Sequence, residues 1–236
     1  MDVAYDYEVK EVWEMALNHF LELVRLDPEY HCEVGYYVPL ALLYLNRDDD
    51  AYAFVRYVIN VENLDSNEIL SRHARSREGD WVYPVEMNCR YSDIFKEYPD
   101  MDWDGVEDPY LLALIIIKLR IVAYHDDTAR GLSVAFDATY AKRIQEAEPI
   151  VREMLLCNDI ASQRRQLDML LDNFDPRSLS ALYGFRLYER ERSSAWKKAS
   201  NLHPFPIDVM LFYGARVLFR VPGAVDVLRS CIQSQS

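Results

Sequence analysis

The chain has 236 residues, half of them hydrophobic, and a formal net charge of −13. This hydrophobic content excludes an intrinsically disordered chain, and no run reaches the roughly 18 apolar residues that a membrane-spanning helix needs. Four widely spaced cysteines exclude both a C-x-x-C zinc site and a dense disulfide framework. The N-terminus is acidic and has no apolar signal region, so we expect a reduced intracellular protein, cytoplasmic or nuclear.

Apolar side chains at helical spacing predict the N-terminal part of the fold, residues 1–61. Between residues 9 and 24 they recur every three or four positions, which is typical of one face of an amphipathic helix. A second apolar segment, 35–45, is predicted to be helical with Pro39 near its first turn. The acids 48–50 then precede another apolar stripe. Acidic residues suit a helix start, because the free N–H groups there favour negative charge.

The rest of the chain divides into a connection and a second helical part. Residues 62–106 are polar and weakly periodic, and they are predicted to form one long irregular connection. Residues 107–236 carry further helical patterns, and no run alternates apolar and polar residues as a strand does. The sequence therefore predicts a single all-α domain over residues 1–236. Its later helices are predicted at 109–125, 131–147, 149–157, 160–173, 177–190, 207–220 and 223–232.

An acidic stretch before the first of these helices raises the question of calcium binding. Residues 97–110, EYPDMDWDGVEDPY, match the start of an EF-hand loop, but its twelfth position is Leu111 instead of a bidentate glutamate. A helix start explains the acids better, with Asp108 as the N-cap and Pro109 as the first helical residue. The same pair recurs at Asp175-Pro176. We therefore predict no metal and no other cofactor.

Enzyme motifs provide one alternative function. The chain has no G-x-S-x-G elbow, no Walker loop and no G-x-G-x-x-G sequence. The triplet His125-Asp126-Asp127, at a predicted helix end, is similar to the metal-binding residues of all-helical phosphohydrolases. A metal-dependent hydrolase that uses His125 and Asp126 is therefore the alternative to a binding protein. The acids at 48–50 and 126–127 also bear comparison with the magnesium sites of helical isoprenoid synthases, but their positions at predicted helix ends favour capping roles.

Two resemblances concern the arrangement of the helices. Ala16, Phe20 and Pro28 have the offsets of the second helix of a tetratricopeptide (TPR) unit, although no strict 34-residue period continues. The fold is accordingly predicted as a TPR-like array of antiparallel helical hairpins. Three stretches resemble the helical region that accompanies MYND-type zinc fingers in many fungal proteins. They are ALNHFLELVRLDPEYHCEVGYYVPLALLYLNRDDDAYAFVRYVI (16–59), DPYLLALIIIKLRIVAYHDD (108–127) and VPGAVDVLRSCI (221–232).

This second resemblance implies an intracellular location and protein–protein interaction. It brings no catalytic residue with it. The zinc finger itself is absent, because four scattered cysteines cannot supply its ligands. Nothing that the zinc finger does in that family is therefore expected of this chain.

Charge and tyrosine content predict where a partner binds. Residues 1–70 carry 15 acidic and 4 basic residues, with several tyrosines among them, and tyrosine is enriched at binding surfaces. We expect a partner protein or peptide, with a basic segment, to bind residues 29–57. Charge reversal at Asp48 and Asp49 should weaken this association and leave the fold intact. The predicted binding residues are Glu29, Glu33, Tyr36, Tyr37, Asp48, Asp49 and Tyr52.

Other partners are not expected. The basic segment 186–198 is interrupted by acids, which is typical of a solvated helix face and unlike a nucleic-acid-binding surface. No segment predicts membrane association, and self-association into a homo-oligomer is compatible with the sequence.

Overall fold

The computed structural model describes residues 9–26, 33–61, 67–71, 86–138, 159–191 and 206–234. All regular structure in these ranges is helical and none of them contains a strand, which confirms the all-α class. Within the same ranges, no helix combines the length and the apolar character needed to cross a membrane. The α-helices are α1 (Lys10–Leu26), α2 (Tyr37–Tyr44), α3 (Asp48–Asn60), α4 (Ile94–Glu97), α5 (Asp108–Ala138), α6 (Ile160–Asp172), α7 (Pro176–Glu191), α8 (Pro206–Phe219) and α9 (Ala224–Ser234).

Helix α5 forms the centre of the fold. Every side chain from Tyr110 to Leu119 is buried, so this part of the helix has no solvated face. A helix that is apolar all round must be covered on every side, and α5 packs against α2, α3, α6 and α8. The single charged residue in this run is Lys118, which is also fully buried.

Helix α1 packs on α2, α2 packs on α3, and both α2 and α3 contact α5. The buried face of α1 consists of Trp13, Leu17 and Val24, which lie on the apolar stripe predicted from the sequence. The ring of Trp13 stacks on that of Tyr44, with 4.0 Å between centroids, and fixes α1 against the end of α2. Residues 38–43 of α2 are all buried, because α1, α3 and α8 surround this short helix.

Helix α8 connects the C-terminal helices with the N-terminal ones. It packs against α2 as well as α5 and α7, and Gly214 makes the close approach possible. A Cβ atom at Gly214 would lie 2.4 Å from Cδ2 of Leu112 in α5 and 3.4 Å from Cδ2 of Leu40 in α2. In an open array of hairpins each unit contacts only its neighbours, and the packing of α8 on α2 departs from that rule. The TPR-like arrangement therefore stays a prediction.

The two Asp-Pro pairs begin their helices differently. Asp175 and Pro176 take the predicted positions: the Asp175 carboxylate accepts the Arg177 N–H at 2.8 Å, and α7 begins at Pro176. In α5 the N-cap is Glu107, whose carbonyl oxygen accepts the N–H of Leu111, so the prediction of Asp108 as N-cap was wrong by one residue. The Asp108 carboxylate does not cap α5 because it contacts a residue of α7 and the residue before that helix.

That contact engages the carboxylate of Asp108. It accepts hydrogen bonds from the hydroxyl of Ser178 and, at 3.5 Å, from the N–H of Asp175. Asp108 therefore serves the start of α7 and not the start of its own helix. Burial is the largest cause of a pKa raised above the ordinary aspartate value, and the Ser178 hydrogen bond opposes that rise.

Helix α5 is longer than predicted. The sequence analysis placed a break between 125 and 131, but α5 continues to Ala138. The acids that suggested a helix end lie on its outer side: Asp126 pairs with Arg164 of α6 at 2.6 Å, and Asp127 pairs with Arg130 one turn further along at 3.8 Å. The helix predicted at 149–157 lies outside the described residues.

The predicted connection contains only short helical elements where it is described. One turn lies at 67–71, 3₁₀ turns lie at Cys89–Tyr91 and Trp103–Gly105, and α4 spans four residues. Residues 72–85 are outside the described ranges. The turn Cys89–Tyr91 packs on α3 and α5, and Cys89 and Ile94 are buried.

Candidate functional site

A cleft of about 700 Å³ opens where the end of α2, residues 90–91, the middle of α5 and the turn between α8 and α9 meet. Its lining combines cationic, aromatic and apolar side chains. Ile121, Val217 and Val221 form an apolar floor. The other principal lining residues are Arg90, Arg120, Arg220, Tyr44, Tyr91 and Tyr124.

Local structure explains how these residues come to face one another. Arg120 and Tyr124 lie one helical turn apart on α5, so they project from the same side of the helix. The chain turns between α2 and α3 at Asn46, whose φ of 57° is a left-handed conformation that asparagine tolerates. After α8 the chain turns again, and Val221 of this turn and Val217 of the last turn of α8 complete the floor.

Arg120 binds residues on both sides of the turn between α2 and α3. Its Nη1 binds Oδ1 of Asp48 at 2.5 Å, and its Nη2 donates to the carbonyl oxygen of Leu43 at 3.0 Å. The two side chains of the ion pair are only 20% and 15% exposed. The arginine thus places positive charge at the C-terminal end of α2, where free carbonyl groups favour it.

Arg90 and Arg220 are held in a different way, by stacking on tyrosine rings. The guanidinium carbon of Arg90 lies 5.0 Å from the ring centroid of Tyr91, and that of Arg220 lies 5.2 Å from the centroid of Tyr44. Such cation–π contacts orient the planar guanidinium. Two of the three arginines therefore lie against aromatic rings of the cleft.

Charged side chains of both signs line the cleft. Three arginines line it, against two aspartates, Asp48 and Asp127. The net charge of the entire chain is −13. Asp48 is paired with Arg120 at 2.5 Å, and Oδ2 of Asp49 lies 3.6 Å from Nη1 of Arg90, so two of the three arginines have a carboxylate partner within the fold.

The acids predicted to bind a partner have structural roles. Asp48 pairs with Arg120, and the Asp49 carboxylate accepts the backbone N–H of Arg90 at 3.1 Å. Tyr52 is fully buried, with its hydroxyl 3.3 Å from the carbonyl oxygen of Ser92, so its assignment to a binding surface was wrong. Because Asp48 and Asp49 hold tertiary contacts, we expect reversal of their charges to destabilise the fold.

The remaining predicted residues do not join the cleft. Tyr36 and Tyr37 are partly buried and contact other aromatic rings: Tyr36 lies edge-on to Tyr110 at 5.4 Å, and Tyr37 stacks on Phe20 at the same distance. Glu33 opens the 3₁₀ turn before α2. Glu29 lies outside the described residues. Of the predicted set, only Asp48 lines the cleft.

A buried lysine next to the cleft escaped the sequence analysis. Nζ of Lys118 donates to the carbonyl oxygens of Arg90 and Ser92, each at 2.8 Å, and to Oε1 of Gln163 at 2.9 Å. All three protons of an ammonium group thus have acceptors. Burial lowers the pKa of Lys118 to about 7, and the nearby charges of Asp93 and Glu97 oppose that effect. Lys118 positions Arg90 by holding its carbonyl group.

The residues of the hydrolase alternative contact each other and an arginine. Nδ1 of His125 lies 3.2 Å from Oδ1 of Asp126, and the same oxygen accepts a hydrogen bond from Arg164 at 2.6 Å. Across the described ranges, no three His, Cys, Asp or Glu side chains are grouped so that they could hold a metal. Asp102 and Asp104 of the EF-hand-like stretch are exposed. The hydrolase alternative stays a prediction.

Comparisons with known proteins do not assign the chain to a family. Comparison of the chain with protein-family models, with curated proteins and with solved structures finds no match.

Proposed function

We propose that this chain is a protein–protein interaction module whose cleft binds a peptide segment of a partner protein. The observation that carries the proposal is the meeting of three arginines and three tyrosines around an apolar floor. Arginine and tyrosine are among the residues that most often dominate binding energy at protein interfaces. A cleft of about 700 Å³ is within the range of ligand sites, about 300–1,000 Å³.

Tyr124 supports the choice of the cleft over other surfaces. Its side chain is 72% exposed, although it belongs to the helix that forms the centre of the core. An exposed aromatic ring gains free energy when a partner covers it, at roughly 25 cal/mol for each Å² of apolar area. Tyr124 can therefore act as an anchor at the edge of the cleft without any change in the fold.

The proposal includes a TPR-like arrangement of the helical hairpins. Among the described helices, α1 packs on α2, α2 on α3, α5 on α6 and α7 on α8. Arrays of helical hairpins commonly offer concave surfaces to peptides. The resemblance to the helical region beside MYND-type zinc fingers supports a role in protein–protein interaction.

The test is a selection of peptides from a random displayed library on the purified full chain. Each selected peptide is synthesised with a fluorophore, and its Kd is measured by fluorescence anisotropy. We expect Tyr124→Ala to weaken binding by about ten-fold or more, which corresponds to about 1.4 kcal/mol. The matched control is Met169→Ala, since Met169 is an exposed apolar residue of α6 that does not line the cleft.

The outcomes separate the cleft from the rest of the surface. Peptides that bind wild type and Met169→Ala equally, and Tyr124→Ala weakly, support the proposal. Peptides that bind all three proteins equally place the interaction elsewhere. A selection that enriches no peptide over the immobilisation control contradicts the proposed function.

A further inference from the structure

We infer that the cleft binds an uncharged, apolar segment of the partner, in which one large apolar side chain packs on Tyr124 and on the floor. This ligand chemistry rests on the proposed function, and it replaces the expectation of a basic partner, which depended on Asp48 and Asp49. Two features of the cleft lead to it. Its charged groups already have partners within the fold, and an exposed aromatic ring lies next to its apolar floor.

The arginines of the cleft are engaged within the protein. Nη1 of Arg120 binds Oδ1 of Asp48 at 2.5 Å, and Nη1 of Arg90 lies 3.6 Å from Oδ2 of Asp49. Arg220 also has partners within the fold. A ligand charge of either sign therefore meets groups whose own charge is already balanced, and the net attraction that it gains is small.

The ion pairs are also part of the structure that forms the cleft. Arg120 binds the carbonyl oxygen of Leu43 at 3.0 Å as well as Asp48, and the Asp49 carboxylate accepts the backbone N–H of Arg90 at 3.1 Å. A ligand charge that drew these groups away would leave a partly buried charge unpaired, which is costly. A ligand that binds through apolar contacts leaves the pairs in place.

Apolar surface is available to such a ligand. The side chain of Tyr124 is 72% exposed, whereas the three side chains of the floor are buried and well packed. Ile121 of the floor lies three residues before Tyr124 on α5, so the two side chains project from the same side of the helix. One large apolar side chain can therefore cover the ring and rest on the floor, and its removal from water favours binding.

The wall formed by residues 90–91 is fixed from behind. The carbonyl oxygens of Arg90 and Ser92 accept hydrogen bonds from Nζ of Lys118 at 2.8 Å, and that of Tyr91 accepts one from Nε2 of Gln163 at 2.6 Å. Because these carbonyl groups bind buried side chains, the wall presents side chains to a ligand. Its fixed position lowers the entropy that binding would otherwise cost.

The peptides that the displayed library yields, and that Tyr124→Ala weakens, test this chemistry. We expect one position to be enriched in aromatic or large aliphatic residues, without enrichment of charged residues beside it. Replacement of that residue by Ala should raise the Kd at least about ten-fold, whereas replacement of a charged residue by Ala should change it less than about three-fold. The Kd should also change less than about three-fold between about 0.05 and 0.5 M NaCl.

Two variants of the protein separate apolar from charged recognition. Tyr124→Phe keeps the ring and removes the hydroxyl, so the Kd should stay within about two-fold of wild type. Asp127→Asn removes a charge from the cleft, and its side chain is 56% exposed with a long ion pair of 3.8 Å to Arg130. It should likewise leave the Kd within about two-fold of wild type. Asp104→Asn makes the same charge change at an exposed position outside the cleft.

The outcomes distinguish this ligand chemistry from the proposed function. A charged peptide residue whose replacement weakens binding about ten-fold, or a Kd that rises steeply with salt, overturns the apolar ligand and leaves the cleft as a peptide site. The same holds if Asp127→Asn alters the Kd and Asp104→Asn does not, or if Tyr124→Phe loses binding. A selection without any enriched peptide, or one whose peptides all bind Tyr124→Ala as well as wild type, overturns both.

Discussion

Nζ of Lys118 donates a hydrogen bond of 2.9 Å to Oε1 of Gln163, in a place where neither side chain reaches solvent. Two carbonyl oxygens, those of Arg90 and Ser92, accept the other two protons of the ammonium group. These bonds connect α5 and α6 with the irregular segment before α5. They let that segment pack in the core without leaving its polar groups unsatisfied.

Lys118→Met tests this role. Methionine retains the volume but removes the donor to Oε1 of Gln163 and to the carbonyl oxygen of Arg90, so we expect the free energy of unfolding to fall by about 2–4 kcal/mol. Urea denaturation followed by circular dichroism measures the change. Lys96→Met is the control, because the Lys96 side chain is 70% exposed and its ion pair with Asp93 is long, at 3.5 Å. Equal stability of the two variants would contradict a structural role for Lys118.

The same lysine predicts a pH dependence. Burial lowers its pKa from 10.5 in the unfolded chain to about 7 in the native protein, against the opposing charges of Asp93 and Glu97. Between these values the unfolded chain binds more protons than the native protein, so stability should rise with pH from about 7 towards 10. The slope attributable to Lys118 has an upper limit of about 1.4 kcal/mol per pH unit.

Lys118→Met isolates this contribution from other titrating groups. Its stability is compared with that of wild type at pH 7, 8 and 9, and the difference between the two should increase with pH. A constant difference would mean that the three acceptors keep Lys118 protonated in the native state, and that burial does not control its pKa.

Two glycines in helices should respond to alanine in opposite directions. At Gly214 a new Cβ would lie 2.4 Å from Cδ2 of the buried Leu112, so Gly214→Ala should destabilise the protein by about 1–3 kcal/mol. At Gly184 of α7 no atom lies within 4 Å of the same position, and Gly184→Ala should stabilise by about 0.5–1 kcal/mol. Thermal unfolding of both variants measures the two effects, and unchanged or increased stability of Gly214→Ala would argue against the close packing of α8 on α5.

Helix starts could be predicted from the sequence where the capping residue and the first turn are adjacent in the chain. The start of α7 at Pro176 follows from Asp175 alone, because the cap and the first turn are adjacent in the chain. Asp108 has the same local sequence, yet its carboxylate binds Ser178, 70 positions away. No local pattern indicates which of the two roles an aspartate before a proline will take.

The cleft could not be predicted for the same reason. Arg90, Arg120 and Arg220 are separated by 30 and 100 positions, and each lies in a segment with a different local pattern. The one signal in the sequence was the pair of charges at Lys118 and Arg120, which interrupts the apolar run of α5. A charge in such a run must be paired or hydrogen-bonded once it is buried, but the run itself does not show by which partner.

The contact between Asp48 and Arg120 carries the last prediction, which replaces the expectation of a harmless charge reversal. Asp48→Lys would place two cations together in a partly buried site, where the side chains are 15% and 20% exposed. We expect a loss of about 2–3 kcal/mol in the free energy of unfolding. Glu14→Lys makes the same charge change in the exposed pair with Lys10 and should cost about 0.5 kcal/mol or less.

The swapped double variant Asp48→Arg/Arg120→Asp distinguishes a pairwise interaction from a general effect of charge. If the two groups interact directly, the swap restores a favourable pair and recovers part of the lost stability, with a coupling energy of about 1–3 kcal/mol. Recovery should be incomplete, because aspartate at position 120 cannot donate to the carbonyl oxygen of Leu43 as Arg120 does. Strictly additive losses in urea denaturation would show that Asp48 and Arg120 are not coupled. In that case Asp48 would again be available to bind a basic partner.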